Sequence, residues 1–356
     1  MAPDTPAALG YRMPAEWEPH TATWLAWPHN TITWPEPLLD VQHIFVQMIA
    51  ALHRHELVHV LVPDAATVAH VTAECQSAGM DITRVILHER CTVDAWLRDS
   101  GPIFVTAPAA AAQPVALNDW MFNAWGEKYP ELMADNVIPQ YVAGLLDMPR
   151  FMPGIVLEGG SIDVNGRGTC LTTEQCLLNP NRNPHLQRAD LERYLHDYLG
   201  TRHVIWLGEG IVGDDTDGHV DDIVRFVNPT TVLCALEDDP QDANYAALHD
   251  NYRRLQRATD QDGRPLQVIP LPMPGVVGPV DSRLPASYAN FYIANGVVLM
   301  PTYDHANDQR ALAVLREVFP ERQVLGIPCT ALVWGLGAIH CVTQQQPAPS
   351  RPEGTL

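Results

Sequence analysis

Positive charge is scarce in this 356-residue chain: Lys and Arg total 22 against 42 Asp and Glu, for a net charge of -20. That balance argues against nucleic acid or an anionic membrane surface as the main partner and suits a cationic ligand. Long apolar runs are missing too. No stretch approaches the ~20 residues a membrane span needs, and Met1 to Gly10 has neither the basic nor the apolar region of a signal peptide. Paired cysteines are also lacking. The seven, at 75, 91, 170, 176, 234, 329 and 341, are odd in number and irregular in spacing, which excludes an evident disulfide framework. No C-x-x-C pair suggests structural zinc. These features together point to a reducing, cytoplasmic setting. With 46% hydrophobic and 18% charged residues, the composition is that of a globular protein.

The C-terminal two-thirds repeats one pattern. Ile155 to Val164 reads as a strand, Asn165-Gly166 as a tight turn, and Gly168 to Thr172 as a returning strand. A helix follows near Leu186 to Leu199, then a strand at His203 to Leu207. The same order recurs as strand 223–227, turn Asn228-Pro229, strand 231–236, a helix near 242–258 and strand 266–271. It recurs again as strand 288–294, turn Asn295-Gly296, strand 297–300, a helix near 307–319 and strand 323–327. This β-β-α-β unit is longer than the common solenoid repeats. The N-terminal third predicts helices over 40–53 and 65–78 and strands over 57–62 and 84–87. We therefore expect one mixed α/β domain over 11–347, with a site where loops converge on its axis. Residues 1–10 and 348–356 are expected to be flexible.

Three carboxylate-rich segments and one cysteine carry the chemistry. Cys341 lies in a glycine-bearing, strand-like run, Gly335-Leu336-Gly337-Ala338-Ile339-His340-Cys341. A thiolate is accessible near neutral pH beside a positive group and is a good nucleophile, although a cysteine is more often plain core. His219 and Asp221 form an H-x-D pair just before a strand. On a strand, both would face one pocket as an acid/base and a clamp. The surrounding Asp214-Asp215-Thr216-Asp217-Gly218 equally suits an acidic turn, and Asp215, Asp217, His219, Asp221 and Asp222 would also serve a hard cation. Asp99, three residues after Trp96, suits a guanidinium held by bidentate bonds and ring stacking; alone it also reads as a turn residue before Gly101-Pro102. Arg98 is placed to pair with a carboxylate. Glu158 follows an apolar run, and pairing with His219 would favour the charged imidazole. A thiol, a histidine and several acids together point to chemistry on a guanidinium group.

Read in order, the motifs resemble a known family. They are Met13-Pro14-Ala15-Glu16-Trp17, Trp96-Leu97-Arg98-Asp99-Ser100-Gly101-Pro102, Phe122 to Gly126, Leu157-Glu158-Gly159-Gly160-Ser161, Thr172 to Asn179, Asn181 to Pro184, Thr216 to Asp221, Ser287 to Gly296, and Ile339 to Pro347. They closely resemble the agmatine deiminase and bacterial-type peptidylarginine deiminase family of the guanidine-modifying pentein superfamily. The resemblance covers about residues 11 to 347. It implies a five-fold pseudosymmetric α/β propeller, with Cys341 as nucleophile and His219 as general acid/base. It further implies Asp99 and Asp221 as guanidinium clamps and Glu158 as a support for His219 or a substrate contact. Trp96, Asp217 and Gly337 join Asp99 and Asp221 as expected substrate contacts.

The expected partner is a small cationic guanidine such as agmatine, in putrescine and polyamine supply, with a homodimer as the assembly. No metal and no organic cofactor is expected. Leu336 and Ala338 depart from the usual Gly-Gly-Gly-Asn-Ile-His-Cys run. Peptidyl-arginine and free arginine are the rival substrates. A metal-dependent hydrolase built on residues 215–222 and a non-catalytic cation binder are the rival classes.

Overall fold

Five small sheets of like construction make up the chain. The computed structural model describes residues 4–108, 111–279 and 281–349. Four sheets have three strands each: Ile103–Thr106 with Val115–Asn118 and Arg150–Phe151; Asp163–Val164 with Thr169–Thr173 and His203–Leu207; Val224–Asn228 with Thr231–Leu236 and Gln267–Pro272; and Tyr292–Ile293 with Val297–Thr302 and Gln323–Pro328. In each, the first two strands are antiparallel and the last two parallel. A parallel pair needs a crossover. Helices Ile138–Leu146, Arg188–Leu199, Tyr245–Arg257 and Asp308–Val318 provide it.

The fifth sheet joins the two ends of the chain. Gln344–Pro347 pairs antiparallel with His20–Ala26, which runs parallel to Leu57–Val62 and on to Val85–Glu89. This closure holds Cys341, three residues before the final strand, beside motifs from the rest of the chain.

The helices bury one stripe each. Tyr245–Arg257 turns Leu248, Asn251 and Leu255 inward, the spacing of one helical face. Asn251 is polar but satisfied: its Oδ1 accepts the Gly208 N–H at 2.7 Å and its amide donates to the Glu209 carbonyl at 2.8 Å.

The repeat expected from the sequence is present, with element ends moved by a few residues, and four expectations change. Ile155 to Leu157 is not a hairpin strand. Its main chain is held instead by Asn183, whose side chain bonds both the N–H and the carbonyl of Val156, and by Met121. Only Asp163–Val164 remains of that strand. His219 and Asp221 do lie just before a strand, Val224–Asn228, but a short 3-10 turn, Val220–Asp222, rather than strand alternation sets their directions. Cys341 sits in a turn after the 3-10 segment Leu332–Gly335, not in a strand. Residues 4–10 are folded, with a 3-10 turn at Ala7–Leu9 and Thr5 buried. Ala348 also continues the closing sheet, its N–H donating to the Pro19 carbonyl at 2.7 Å. The rest of the expected flexible ends, residues 1–3 and 350–356, lies outside the described residues.

Candidate active site

Cys341 stands at the floor of a cavity of about 230 Å³. Its thiol is buried, and the Asn290 amide donates to Sγ at 3.2 Å. The same amide donates to Asp222 at 3.0 Å, while Asn290 Oδ1 accepts the His340 N–H at 2.9 Å. Burial pushes the thiol well above its ordinary value, and Asp221, Asp222 and Asp99 push in the same direction. The empty site therefore holds a neutral thiol, and a bound cation would favour the thiolate.

Trp96 forms one wall because two glycines let the chain lie against it. A Cβ on Gly337 would sit 2.5 Å from Trp96 Cζ3, and one on Gly335 would sit 2.7 Å from Cζ2. Trp34 backs the ring with a centroid distance of 5.3 Å. Between the glycines, Leu336 adopts φ +68, a left-handed conformation that L-residues rarely take, and lines the cavity.

The acidic groups converge on Gly160. A Cβ there would lie 2.5 Å from His219 Nδ1 and 3.0 Å from both Asp221 Oδ2 and Asp99 Oδ1. Asp99, on the one-turn helix Leu97–Ser100, accepts the Gly160 N–H and the Trp125 indole N–H at 2.9 Å each. Its Oδ2 is 3.8 Å from His219 Nδ1. Asp221 Oδ2 is 2.6 Å from His340 Nδ1. Glu158 pairs through Oε1 with Arg182 at 2.6 Å, rather than forming a bond to His219. That leaves Asp221 Oδ1, Glu158 Oε2 and both nitrogens of His219 buried without a hydrogen-bond partner. Such groups are costly unless something fills the gap.

Electrostatics follow the same geometry. Burial alone would depress His219, but Asp99 and then the Cys176 thiol and Asp221 hold the imidazole well above its ordinary value. Burial raises Asp99 against the pull of His219, so the pair titrates together. Burial opposes ionisation of Asp221 as well, yet His340 and His219 keep it below the usual range.

A second layer escaped sequence reasoning. His340 Nε2 is 2.8 Å from Glu16 Oε2, and Glu16 also pairs with Arg225 at 2.9 Å and Arg98 at 3.5 Å. Arg225 reaches on to Asp163 at 2.9 Å. Arg98 thus plays the pairing role its position suggested. Glu16 and Asn290 lie within motifs that stand out in the sequence, but nothing local announces their partners, which are 324 and 51 residues away.

Asp217, expected to touch substrate, is engaged by Arg182 at 2.6 Å and by Asn181 and Lys128 at 2.9 Å, and like His219, Asp221 and Glu158 it is not among the residues that line the cavity. Asp215 lines the cavity instead, bonded by the Tyr129 hydroxyl and 3.3 Å from Lys128. Asp94 and Glu131 add two more acids to the wall, and no Arg, Lys or His lines it among the described residues.

The 215–222 cluster does not assemble as a cation site. Asp214 caps the main chain of Thr216, Gly218 and His219, Asp215 and Asp217 face Lys128, and Asp222 faces Asn290.

Comparison with known proteins shows the family. Residues 12–347 match the Porphyromonas-type peptidyl-arginine deiminase family. The chain is 40% identical to agmatine deiminase of Pseudomonas fluorescens, with 98% of each chain covered. It is 39% identical to that of Medicago truncatula, covering 97% of this chain and 98% of the relative. Among solved structures, agmatine deiminase of Enterococcus faecalis superimposes with a TM-score of 0.89 at 33% identity, covering 98% and 99% of the two chains. Agmatine deiminase of C. jejuni, solved with substrate bound, gives 0.84 at 27% identity over 96% and 97%. The chain has the pentein-type α/β fold and belongs to the Porphyromonas-type peptidyl-arginine deiminase family, whose members similar to it include agmatine deiminases.

Proposed function

We propose that the protein is an agmatine deiminase, converting agmatine and water to N-carbamoylputrescine and ammonia. The observation that carries this is the pair of buried, unpartnered acceptors, Asp221 Oδ1 and Glu158 Oε2, close to Asp99 and Cys341, which line a cavity with acidic walls. A guanidinium supplies the missing donors and the missing positive charge. Agmatine has a second cation at its other end, and Asp94, Glu131 and Asp215 suit it. Free arginine would bring a carboxylate into that acidic wall.

Asp99 and Asp221 hold the guanidinium with its carbon over Cys341 Sγ, and Trp96 fixes the plane. The bound cation favours the thiolate, which attacks the central carbon. His219, held cationic by Asp99, gives its proton to the departing nitrogen, and ammonia leaves. This leaves an S-alkylthiouronium on Cys341. The now neutral His219 takes a proton from water, whose oxygen adds to the same carbon. The C–S bond then breaks, giving the ureido product and the thiolate. Glu158, paired with Arg182 and with an oxygen within 4.8 Å of a His219 ring nitrogen, places negative charge beside the imidazolium. None of these steps calls on a metal or an organic cofactor.

A cytoplasmic homodimer serving putrescine supply fits this reading. The free thiols support the compartment, and no helix among the described residues is long and apolar enough to cross a membrane. The assembly and the pathway rest on the family resemblance.

The test is ammonia release from agmatine with EDTA present, beside Cys341→Ala, with arginine and an arginine-containing peptide as rivals. Release from agmatine alone, lost in the variant, is expected. Release from the peptide alone would move the substrate to peptidyl-arginine, and full activity in the variant would overturn the mechanism.

A further inference from the structure

The thiol of Cys176 makes and breaks no bond in that reaction, yet it lies against the histidine that carries the proton. Glu158, Cys176 and His219 each bring a ligand atom within 4.8 Å of the other two, and all three side chains are fully buried. We propose that these residues form a binding site for a soft divalent cation such as Zn²⁺, and that filling it shuts the active site.

The donor set is one sulfur, one nitrogen and one oxygen, the mixture that zinc and cadmium prefer over magnesium or calcium. Two of the three already lack a partner: Glu158 Oε2 and both ring nitrogens of His219 make no hydrogen bond. Cys176 is fixed by its backbone, because its N–H donates to Thr173 Oγ1 at 3.1 Å at the start of the one-turn helix Glu174–Leu177. Zinc bonds of about 2.0–2.3 Å put neighbouring ligand atoms roughly 3.5 Å apart, so a small inward movement completes the site.

Arg182, 2.6 Å from the other Glu158 oxygen, opposes a cation, but Asp217 engages that arginine at 2.6 Å. Asp99 and Asp221 add negative charge on the His219 side. Cys75, Cys170, Cys234 and Cys329 are equally buried, but among the described residues none of them joins a group of three such ligands. A cation held here occupies His219 and the free oxygen of Glu158. It also adds positive charge beside the guanidinium position, so it competes with a cationic substrate.

The inhibition rests on the proposed deiminase reading, whereas the binding does not, and the experiment separates them. Zn²⁺ is titrated into the enzyme turning over agmatine, with reversal by EDTA. Measured against each variant's own metal-free rate, Cys176→Ser and Cys176→Ala raise the inhibitory Zn²⁺ concentration by about tenfold or more, as expected for loss of the soft ligand. Cd²⁺ is titrated in parallel into Cys341→Ser protein, reading the ultraviolet thiolate-to-cadmium band. One equivalent of that band disappears in Cys341→Ser/Cys176→Ser, and Glu158→Gln weakens it. Unchanged Zn²⁺ inhibition in both Cys176 variants would mean that the metal acts elsewhere and would overturn the proposal. So would a cadmium band indifferent to Cys176. If agmatine is not turned over, the cadmium titration still decides the site.

Discussion

His340 Nδ1 lies 2.6 Å from Asp221 Oδ2, and the opposite ring nitrogen lies 2.8 Å from Glu16. The residue next to the proposed nucleophile therefore holds the carboxylate proposed as a clamp, and Asp221 Oδ1 has no hydrogen-bond partner. A hydrogen bond to a charged group contributes about 1.5–3 kcal/mol, so His340→Ala should lower kcat/KM for agmatine by roughly ten- to a hundredfold. His340→Asn, which keeps a donor, should recover part of the loss. Since Asp221 grips substrate before and during reaction, KM and kcat should both suffer. Steady-state kinetics that match wild type would remove His340 from this role.

Gly160 lies against three of the side chains in the proposed reaction, His219, Asp221 and Asp99. Adding a methyl group puts it 2.5 Å from His219 Nδ1, a distance that something must yield to. Gly160→Ala should cost at least about a hundredfold in kcat/KM, the size of effect seen when a reacting geometry shifts by an ångström. Near-native circular dichroism and Tm should accompany it. A variant of normal activity would show that His219 need not sit where it does.

The acid/base histidine should titrate in a way that depends on Asp99. Asp99 is the nearest negative group raising His219. Removing that charge destabilises the imidazolium, so in Asp99→Asn the His219 transition moves to lower pH. NMR titration of the ring in a Cys341→Ser background reads this without turnover. An unmoved transition would assign the raised value to Asp221 and Cys176 instead.

Stability should have an acid limb tied to Glu16. Its folded value lies below the usual range, because Arg225 and His340 outweigh its burial. A depressed carboxylate stabilises the fold above its unfolded pKa, about 4.3, and that contribution is lost as pH falls through the folded value. Glu16→Gln should therefore lower Tm at neutral pH and flatten its decline below about pH 4. A parallel decline in variant and wild type would contradict this.

The legibility of this chain divides by range of interaction. The three β-β-α-β units of the C-terminal two-thirds are readable because a hairpin turn such as Asn165-Gly166 and a helical stripe such as Leu248, Asn251 and Leu255 are local patterns. Closure by Gln344–Pro347 on His20–Ala26 is not readable, because it joins chain ends. The same holds at the site. Cys341, His219, Asp99, Asp221 and Glu158 stand in motifs and do come together, whereas Asp217 looks like a site residue and is spent on Arg182. His219 and Asp221 lie just before a strand as their sequence context predicts, and a tight turn rather than strand alternation brings both inward. Glu16, Arg225 and His340 acquire meaning only through contacts made in three dimensions.

Of the three acids proposed to meet the far end of the substrate, Asp215 gives the clearest test. It lines the cavity, held by Tyr129 and Lys128. Its carboxylate is about one-third exposed, so solvent moderates its bond to an ammonium. Asp215→Asn should raise KM for agmatine by a few-fold to about tenfold with little change in kcat, since the carboxylate lies away from the reacting carbon. An alkylguanidine of the same length without the amine should be turned over equally by both proteins, because it has nothing to offer that carboxylate. Comparing the two substrates on the two proteins isolates the contact from general damage. Equal losses on both would mean that Asp215 shapes the cavity rather than reads the tail.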